Sequence, residues 1–202
     1  VFLLPGDPLE GGPVAVETRR IQSVTDVQIR SLPCRVQRMQ RLATDVMGLW
    51  LRLPAVEPFT WHPGQYIDVM LSGGRRRSFS LANPPHDAGL LELHVRRSSR
   101  GEFTTLVFES MTEGTLLRIE GPLGQLAYHD GSSPVLLIGG GTGYAPMKAI
   151  LRHILEQRLP RPVTLFWGAR GRADLYDDAW LRELAAREPG FRYVPVLQDE
   201  PV

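Results

Sequence analysis

The sequence predicts an antiparallel β-barrel followed by an α/β domain with a parallel sheet, and two observations favour this division. Between Cys34 and His129, short apolar segments recur with Pro, Gly and Asn between them, which is typical of closely spaced antiparallel strands in a barrel or a sandwich. After Pro134, apolar strands alternate with helical segments, which indicates βαβ units. The predicted units are a leader, a barrel and an α/β domain, at residues 1–31, 32–130 and 131–202.

The barrel is predicted to contain six strands and one short helix. The strands are predicted at Cys34–Met39, Gly48–Leu53, Gln65–Leu71, Arg76–Ala82, Leu90–Arg97 and Thr115–Glu120. The segment from Gly101 to Met111 differs from these strands, because Phe103, Leu106 and Val107 recur at helical spacing. We therefore expect one helix to interrupt the run of strands.

The α/β domain is predicted to contain three strands and two helices. The strands are expected at Val135–Ile138, Val163–Trp167 and Phe191–Leu197. The apolar face of the first helix is formed by residues at i, i+3, i+4, i+7 and i+8, namely Met147, Ile150, Leu151, Ile154 and Leu155. The second helix carries Leu175, Leu181 and Leu184 and ends at Pro189. Doubly wound sheets usually have about five or six strands, so we expect a C-terminally truncated domain, from a longer protein.

Composition excludes several classes of protein. The chain has 202 residues, with 23 basic and 22 acidic side chains, so its net charge of +1 gives no electrostatic case for nucleic-acid binding. No apolar run approaches the roughly 20 residues of a membrane span. The N-terminal apolar residues 1–4 lack a basic flank and meet Pro5, which is unlike a signal peptide.

A single cysteine, Cys34, bounds the redox chemistry of the chain. One thiol excludes an intrachain disulfide, and it excludes an iron–sulfur cluster held by this chain alone. We expect Cys34 to fill a buried apolar position, and a reducing, cytoplasmic location fits this composition. The histidines are scattered along the sequence and are expected to be structural or exposed; they are His62, His86, His94, His129 and His153.

A glycine-rich segment at 139–143, Gly-Gly-Gly-Thr-Gly, lies between a predicted strand and a predicted helix. Glycines let the backbone approach a pyrophosphate, and the helix N-terminus supplies N–H groups and a positive dipole end. The segment matches neither the strict Gly-x-Gly-x-x-Gly pattern nor a Walker loop. A tight turn without a ligand is the alternative, and four glycines in five positions favour the dinucleotide.

Two further segments carry possible phosphate ligands. In the strand at 75–83, Arg77 and Phe79 share one face, because alternate residues of a strand point the same way. That face offers a guanidinium beside an aromatic ring, although arginines here also fit a solvated strand edge. The residues His94-Val95-Arg96-Arg97 precede a helix start at 101–104, which fits either a phosphate site or a capped surface helix.

The order of these motifs resembles the ferredoxin–NADP reductase superfamily over residues 32–202. The matching segments are Pro-Gly-Gln-Tyr at 63–66, Arg-Ser-Phe-Ser at 77–80, Gly-Pro-Leu-Gly at 121–124, Phe-Trp-Gly-Ala-Arg at 166–170 and Asp-Leu-Tyr at 174–176. The sequence is most similar to reductases of the CDP-6-deoxy-glucoseen reductase type, which carry a plant-type [2Fe-2S] domain ahead of the flavin barrel. Residues 1–31 then resemble the exit from such a domain.

The resemblance implies that the barrel binds FAD. Arg77 would hold the flavin phosphate, Phe79 would lie against the isoalloxazine ring, and Ser80 would hydrogen-bond near N5. Val95 would touch the flavin through its main chain. The other implied FAD residues are Ser78, the ribityl or adenine contacts His94 and Arg96, and the pyrophosphate contacts Gly101, Phe103 and Thr104.

The resemblance also implies that the α/β domain binds NADH, or less readily NADPH. The implied residues are Gly141, Thr142 and Gly143 at the dinucleotide, and Gly168 and Arg170 at the adenosine ribose. Ser80 and Thr142 are the implied catalytic residues, with Thr142 near the nicotinamide. Arg170 and Arg172 are candidates for a 2′-phosphate, whereas Asp174 places a carboxylate nearby.

The implied activity is hydride transfer from NAD(P)H to FAD, followed by single electrons to a ferredoxin-like protein or an oxygenase or dehydratase component. A [2Fe-2S] cluster is expected only in a domain outside this chain. Three departures from the family pattern stand out: Phe79 replaces a tyrosine, and the Cys-Gly-Pro and C-terminal segments have no counterpart. The alternatives are a non-catalytic flavin-binding subunit that docks on a partner enzyme, and a structural fragment without a ligand.

Overall fold

The computed structural model describes residues 27–55, 59–87, 89–98 and 101–198. Most of the predicted leader, 1–31, lies outside these ranges. The described residues form two sheets, one antiparallel with six strands and one parallel with three. The predicted fold class, a barrel followed by a parallel α/β domain, is confirmed.

The first sheet closes into a barrel. Its strands are β1 (Arg30–Ala43), β2 (Val46–Arg52), β3 (Tyr66–Met70), β4 (Arg76–Ser80), β5 (Leu90–Arg96) and β6 (Leu116–Leu123), in the order β4-β3-β6-β1-β2-β5. The two edge strands meet just beyond β4, where Leu81 pairs with Leu93. The Ala82 N–H also donates to the Glu92 carbonyl at 2.8 Å. The edges are thereby paired, which is how barrels avoid exposed strand edges.

Strand β1 is longer than predicted and serves two partners. It begins at Arg30, which pairs with Gly121 of β6, whereas the sequence placed the leader up to residue 31. Its second half pairs with β2, and two register shifts interrupt that ladder. Such irregularities bend a strand, so one long strand can pass from one neighbour to the next. The sequence pattern marked only the central, alternating part.

Alternating side chains of the strands fill the barrel. Leu32, Cys34 and Val36 of β1 point inward and are buried. Helix α1 (Glu102–Glu109) adds Phe103 and Val107 to the same core. A helix that contributes apolar side chains to a barrel interior explains the helical spacing found within a run of strands.

The second domain has the predicted βαβ order. Strands β7 (Val135–Gly140), β8 (Val163–Ala169) and β9 (Phe191–Leu197) are parallel and adjacent in that order, and they are connected by helices α2 (Tyr144–Glu156) and α3 (Asp178–Arg187). Helix α3 begins later than predicted. A short 3₁₀ turn at Arg172–Asp174 comes first, so Leu175 packs into the core from outside the helix. The longest helix in the described ranges, α2, has 13 residues, and none has the length and hydrophobicity of a membrane span.

The parallel sheet buries one face in a core shared with both helices. Leu137, Leu165 and Trp167 lie on the buried face. The opposite face exposes Leu136 and Ile138 of β7, whose side chains are 61% and 66% accessible. Because side chains alternate along a strand, these residues point away from α2 and α3.

The buried position of Cys34 predicts an unreactive thiol. Burial raises its pKa to about 12, so the thiolate that reacts with electrophiles is scarce at pH 8. We expect a disulfide-exchange reagent to leave the folded chain unmodified and to label one thiol per chain after denaturation. Complete labelling of the folded chain at the rate seen in denaturant would contradict the burial of this side chain.

Candidate functional site

Three consecutive arginines enter β4, and the structure gives them different partners. Arg75 forms an ion pair with Glu102, and Arg76 forms one with Glu120. Arg77 is exposed, and its guanidinium donates to the Arg76 carbonyl at 2.8 Å. No carboxylate of the described ranges lies within ion-pair distance of Arg77. Of the three, Arg77 therefore retains a cation that is available to an external anion.

The next residues of β4 connect the strand to helix α1. Phe79 is half-buried, and its ring centroid lies 5.2 Å from that of Phe103, at an interplanar angle of 47°. Ser80 is half-buried and pairs in register with Tyr66 of β3. The Ser78 hydroxyl donates to Asp68 at 2.6 Å. The strand and helix motifs, separate in sequence, thus share one packed aromatic contact.

The start of α1 is shaped by the Thr104 side chain. Its hydroxyl donates to the Gly101 carbonyl at 2.9 Å, and it accepts a hydrogen bond from the Ser98 N–H at 3.2 Å. A Cβ at Gly101 would lie 2.6 Å from that hydroxyl, so the turn requires glycine. The hydroxyl is occupied within the turn. The main-chain N–H groups of the first helical turn therefore remain as the groups suited to an anion.

The glycine turn after β7 contains glycines of two kinds. Gly139 and Gly141 are required by the fold. A Cβ at Gly139 would lie 2.9 Å from the Gly143 carbonyl oxygen, and Gly141 has a φ of +52°. By contrast, a Cβ at Gly140 or Gly143 would meet no atom of the described residues within 4 Å. These two positions leave open space directly above the backbone.

An aromatic stack supports the glycine turn from below. The Trp167 indole N–H donates to the Gly141 carbonyl at 2.9 Å. The Trp167 ring stacks on Tyr144, the first residue of α2, with centroids 3.9 Å apart. Both rings are fully buried, and Tyr176 packs edge-on against each. The glycine turn is therefore supported by Trp167 of β8 and by the packing of Tyr144 and Tyr176 around that ring.

Strand β5 brings the barrel against this turn. Val95 is fully buried in the barrel core, whereas its neighbours in sequence point toward the second domain. The His94 imidazole lies 2.9 Å from the Tyr176 hydroxyl. The Arg96 guanidinium forms an ion pair with Asp45 at 3.2 Å, and a Cβ at Gly141 would lie 2.9 Å from its Nη1 atom. The side chain of His94 is thus held in the interface between the domains.

The end of β8 lies beside the glycine turn. Gly168 pairs in register with Gly140, and Thr142 of the turn is half-buried. Arg170 is exposed just beyond β8. Asp174 accepts a hydrogen bond from the Gly171 N–H at 3.3 Å, which fixes a carboxylate in this loop. The carboxyl ends of parallel strands are where open α/β sheets bind their ligands.

Another cluster joins the domains farther along α2. His86, Asp87 and Glu156 place atoms of metal-ligating type within 4.8 Å of one another. Arg152 already donates two hydrogen bonds to Asp87, at 2.7 and 3.1 Å, and it also bonds Glu156. The guanidinium neutralises the carboxylates that a cation would need. The cluster acts as a salt link between the domains.

Sequence reasoning missed a group of polar side chains at the domain interface. They are Glu92, Lys148 and Asp177. Two signals were present: Glu92 interrupts an apolar strand, and Lys148 is the single lysine among 23 basic residues. Neither signal reveals that the two residues meet, because they are 56 positions apart.

Comparison with known protein families identifies both halves of the chain. Residues 33–128 match the oxidoreductase FAD-binding domain, and residues 137–202 match the oxidoreductase NAD-binding domain. The chain belongs to the ferredoxin–NADP reductase superfamily. The predicted resemblance is thereby confirmed, and so is the assignment of FAD to the barrel and of a nicotinamide dinucleotide to the α/β domain.

Relatives and solved structures agree with this assignment. The CDP-6-deoxy-L-threo-D-glycero-4-hexulose-3-dehydrase reductase of Yersinia pestis is 32% identical over 93% of this chain and 56% of its own. The reductase subunit of an Amycolatopsis aromatic O-demethylase is 41% identical over 86% of this chain and 53% of its own. The crystal structure of an Amycolatopsis cytochrome P450 reductase superposes with a TM-score of 0.81 at 39% identity, and covers 89% of this chain and 55% of that one. The chain spans about half the length of the curated relatives it matches.

The two kinds of glycine predict opposite responses to alanine. Gly143→Ala is expected to change the free energy of unfolding by less than about 1 kcal/mol, because its Cβ meets open space. Gly139→Ala is expected to cost about 1–3 kcal/mol, because the added methyl group displaces the backbone at Gly143. Urea unfolding followed by circular dichroism measures both. Equal stability of the two variants would contradict this division of the turn.

Proposed function

We propose that this chain forms the FAD- and nicotinamide-binding part of a reductase, which takes hydride from NADH and passes electrons singly to an iron–sulfur or oxygenase partner. A bound flavin supplies the needed chemistry, since it accepts two electrons together and releases them one at a time. The protein then has to bind both nucleotides, orient them and exclude water.

The observation that carries this proposal is the close approach of Arg96 to Gly141, where an added Cβ would lie 2.9 Å from Arg96 Nη1. It joins β5 of the FAD-binding barrel to the glycine turn of the NAD-binding domain. A nicotinamide held at the turn and a flavin held along β4 and β5 would therefore lie side by side. Hydride transfer requires such direct approach of the two rings.

On the barrel, the described residues suit an FAD molecule. Arg77, which forms no ion pair with a carboxylate of the described residues, offers its guanidinium to a phosphate. The first turn of α1, after Gly101, offers N–H groups to the pyrophosphate. Phe79 is half-buried and is assigned to the flavin ring, and Ser80, also half-buried, is assigned as the donor near N5. The structural-fragment alternative does not account for a cation kept free of carboxylates at this strand.

On the second domain, the open glycines suit a dinucleotide. The backbone at Gly140 and Gly143 can approach a pyrophosphate closely, because no side chain in the described part of the chain occupies the space. Thr142 lies between them and is assigned to the nicotinamide. Gly168 and Arg170 lie at the end of β8, on the side assigned to the adenosine ribose.

The names of the relatives indicate the class of electron acceptor. They include reductase components of a naphthalene dioxygenase system and of a terephthalate dioxygenase, in addition to the dehydrase reductase. We therefore assign this chain an oxygenase or dehydratase component, or a ferredoxin-like protein, as its partner. A cytoplasmic location accompanies this assignment, supported by the single buried thiol of Cys34.

The proposal is tested by anaerobic mixing of the FAD-loaded chain with NADH in a stopped-flow spectrometer. We expect the visible absorbance of the oxidised flavin to decrease after mixing, because NADH reduces the flavin. Gly143→Ala is the matched control, because it should keep the fold and the FAD while weakening NADH binding. A chain that binds FAD but stays oxidised would support the non-catalytic subunit instead, and a chain that binds no FAD would contradict the proposal.

Coenzyme choice rests on the Asp174 carboxylate. A carboxylate beside the adenosine ribose favours the 2′-hydroxyl of NADH and repels the 2′-phosphate of NADPH. Asp174→Asn keeps an acceptor for the Gly171 N–H but removes the charge. We expect this variant to lower the NADH-to-NADPH ratio of kcat/KM about two- to fivefold, since exposed charges interact by about 0.2–1 kcal/mol. An unchanged ratio would exclude this carboxylate as the determinant.

A further inference from the structure

A closed ring of polar side chains crosses the domain interface beneath the glycine turn. The Lys148 ammonium lies 3.0 Å from a Glu92 oxygen and 3.0 Å from an Asp177 oxygen. The same Glu92 oxygen lies 2.9 Å from His94 Nε2, and His94 Nδ1 lies 2.9 Å from the Tyr176 hydroxyl. Tyr176 and Asp177 are adjacent in sequence, so the ring returns to its start.

The ring is largely removed from solvent. Glu92 and His94 each retain 4% exposure, and the Lys148 and Asp177 side chains retain 16% and 19%. A charge so placed is stable only when it is paired, because removing one partner leaves the other buried and uncompensated. The ring therefore has one preferred geometry.

Two members of the ring, Glu92 and Lys148, are charged near neutral pH. Burial opposes ionisation of Glu92, yet the hydrogen bond from His94 and the charge of Lys148 lower the pKa of Glu92 to about 2. Burial likewise opposes protonation of Lys148, and the two carboxylates raise its pKa. One ammonium thus stands between two acidic side chains of different domains.

The members of the ring stand next to both proposed nucleotide sites. Glu92 and His94 are on β5, which continues directly to Val95 and Arg96. Lys148 is on α2, one helical turn after Tyr144, the residue that follows the glycine turn. An ion pair between these elements fixes the glycine turn with respect to the flavin-binding strand.

We propose that Lys148 is a positioning residue, which sets the approach of the nicotinamide to the flavin by holding Glu92 of the barrel and Asp177 of the second domain together. This inference rests on the proposed function. Lys148 would contact neither nucleotide and would act through β5 and the glycine turn.

The test compares Lys148→Met with Arg152→Met. Arg152 lies one turn farther along α2 and also bridges the domains, through Asp87, but it is remote from the glycine turn. Lys148→Met is expected to slow flavin reduction by NADH about ten- to a hundredfold, the size of effect that a small misplacement of reacting groups produces. The Kd values for FAD and NADH should change less than about threefold.

Two further readouts separate positioning from stability. The long-wavelength charge-transfer absorbance of a nicotinamide stacked on flavin should weaken in Lys148→Met and persist in Arg152→Met. In the chain without nucleotides, amide hydrogen exchange at 140–144 should be at least about tenfold faster in Lys148→Met than in Arg152→Met. The double variant Lys148→Met/Glu92→Gln also removes the barrel carboxylate that the single variant leaves unpaired. The double variant is used for the test if Lys148→Met alone does not fold.

Wild-type charge-transfer absorbance and reduction rate in both Lys148 variants would overturn the inference. An equal loss in Arg152→Met would also overturn it, because any salt link between the domains would then suffice. If NADH does not bleach the wild-type chain, the proposed function fails, and the exchange rates alone then decide whether Lys148 fixes the glycine turn.

Discussion

Strand β5 has to satisfy two domains at once, and its two-residue periodicity makes this possible. One set of alternate side chains, Leu91, Leu93 and Val95, is fully buried in the barrel. The other set, Glu92, His94 and Arg96, faces the α/β domain and is polar or charged. A slip of one residue would exchange the two faces and place charges in the barrel core. The register of β5 therefore determines the barrel core and the domain interface together.

The polarity of the interface follows from this arrangement. An apolar interface would join the two hydrophobic cores without specifying the orientation of one domain against the other. Buried ion pairs and hydrogen bonds specify that orientation, because each group requires a defined partner. Arg152 with Asp87 provides a second such link, so α2 is attached to the barrel at two points along its length. The Lys148 link lies one turn from the start of the helix, beside the glycine turn, and the Arg152 link lies one turn farther along.

The sequence predicted the ends of a strand correctly where those ends are marked by neighbouring residues. Strand β9 has the predicted ends at Phe191 and Leu197, because its boundaries coincide with a Pro-Gly turn and the end of an apolar run. The ends of β1 were underestimated, since they depend on pairing with β6 and β2 and not on the alternation of β1 itself. The family assignment followed from motif order, which survives even where one motif departs, as at Phe79.

Candidate site residues could be predicted where they form a recognisable local sequence motif. Glycine clusters and arginine-rich strands are such motifs. Only the structure, however, separates Gly140 and Gly143, which leave open space, from Gly139, which the turn itself requires. Likewise, the carboxylate partners of Arg75 and Arg76 distinguish these side chains from Arg77. Contacts between residues on different domains have no local pattern, which is why the ring around Lys148 was missed.

The closed ring also limits how the two domains can be exchanged with those of homologues. Glu92 and His94 belong to the barrel, whereas Lys148, Tyr176 and Asp177 belong to the α/β domain. A chimera that joins this barrel to the dinucleotide domain of a homologue inherits only half of a matched set. A domain exchange made in the segment between β6 and β7 would therefore need to transfer the complementary interface residues together.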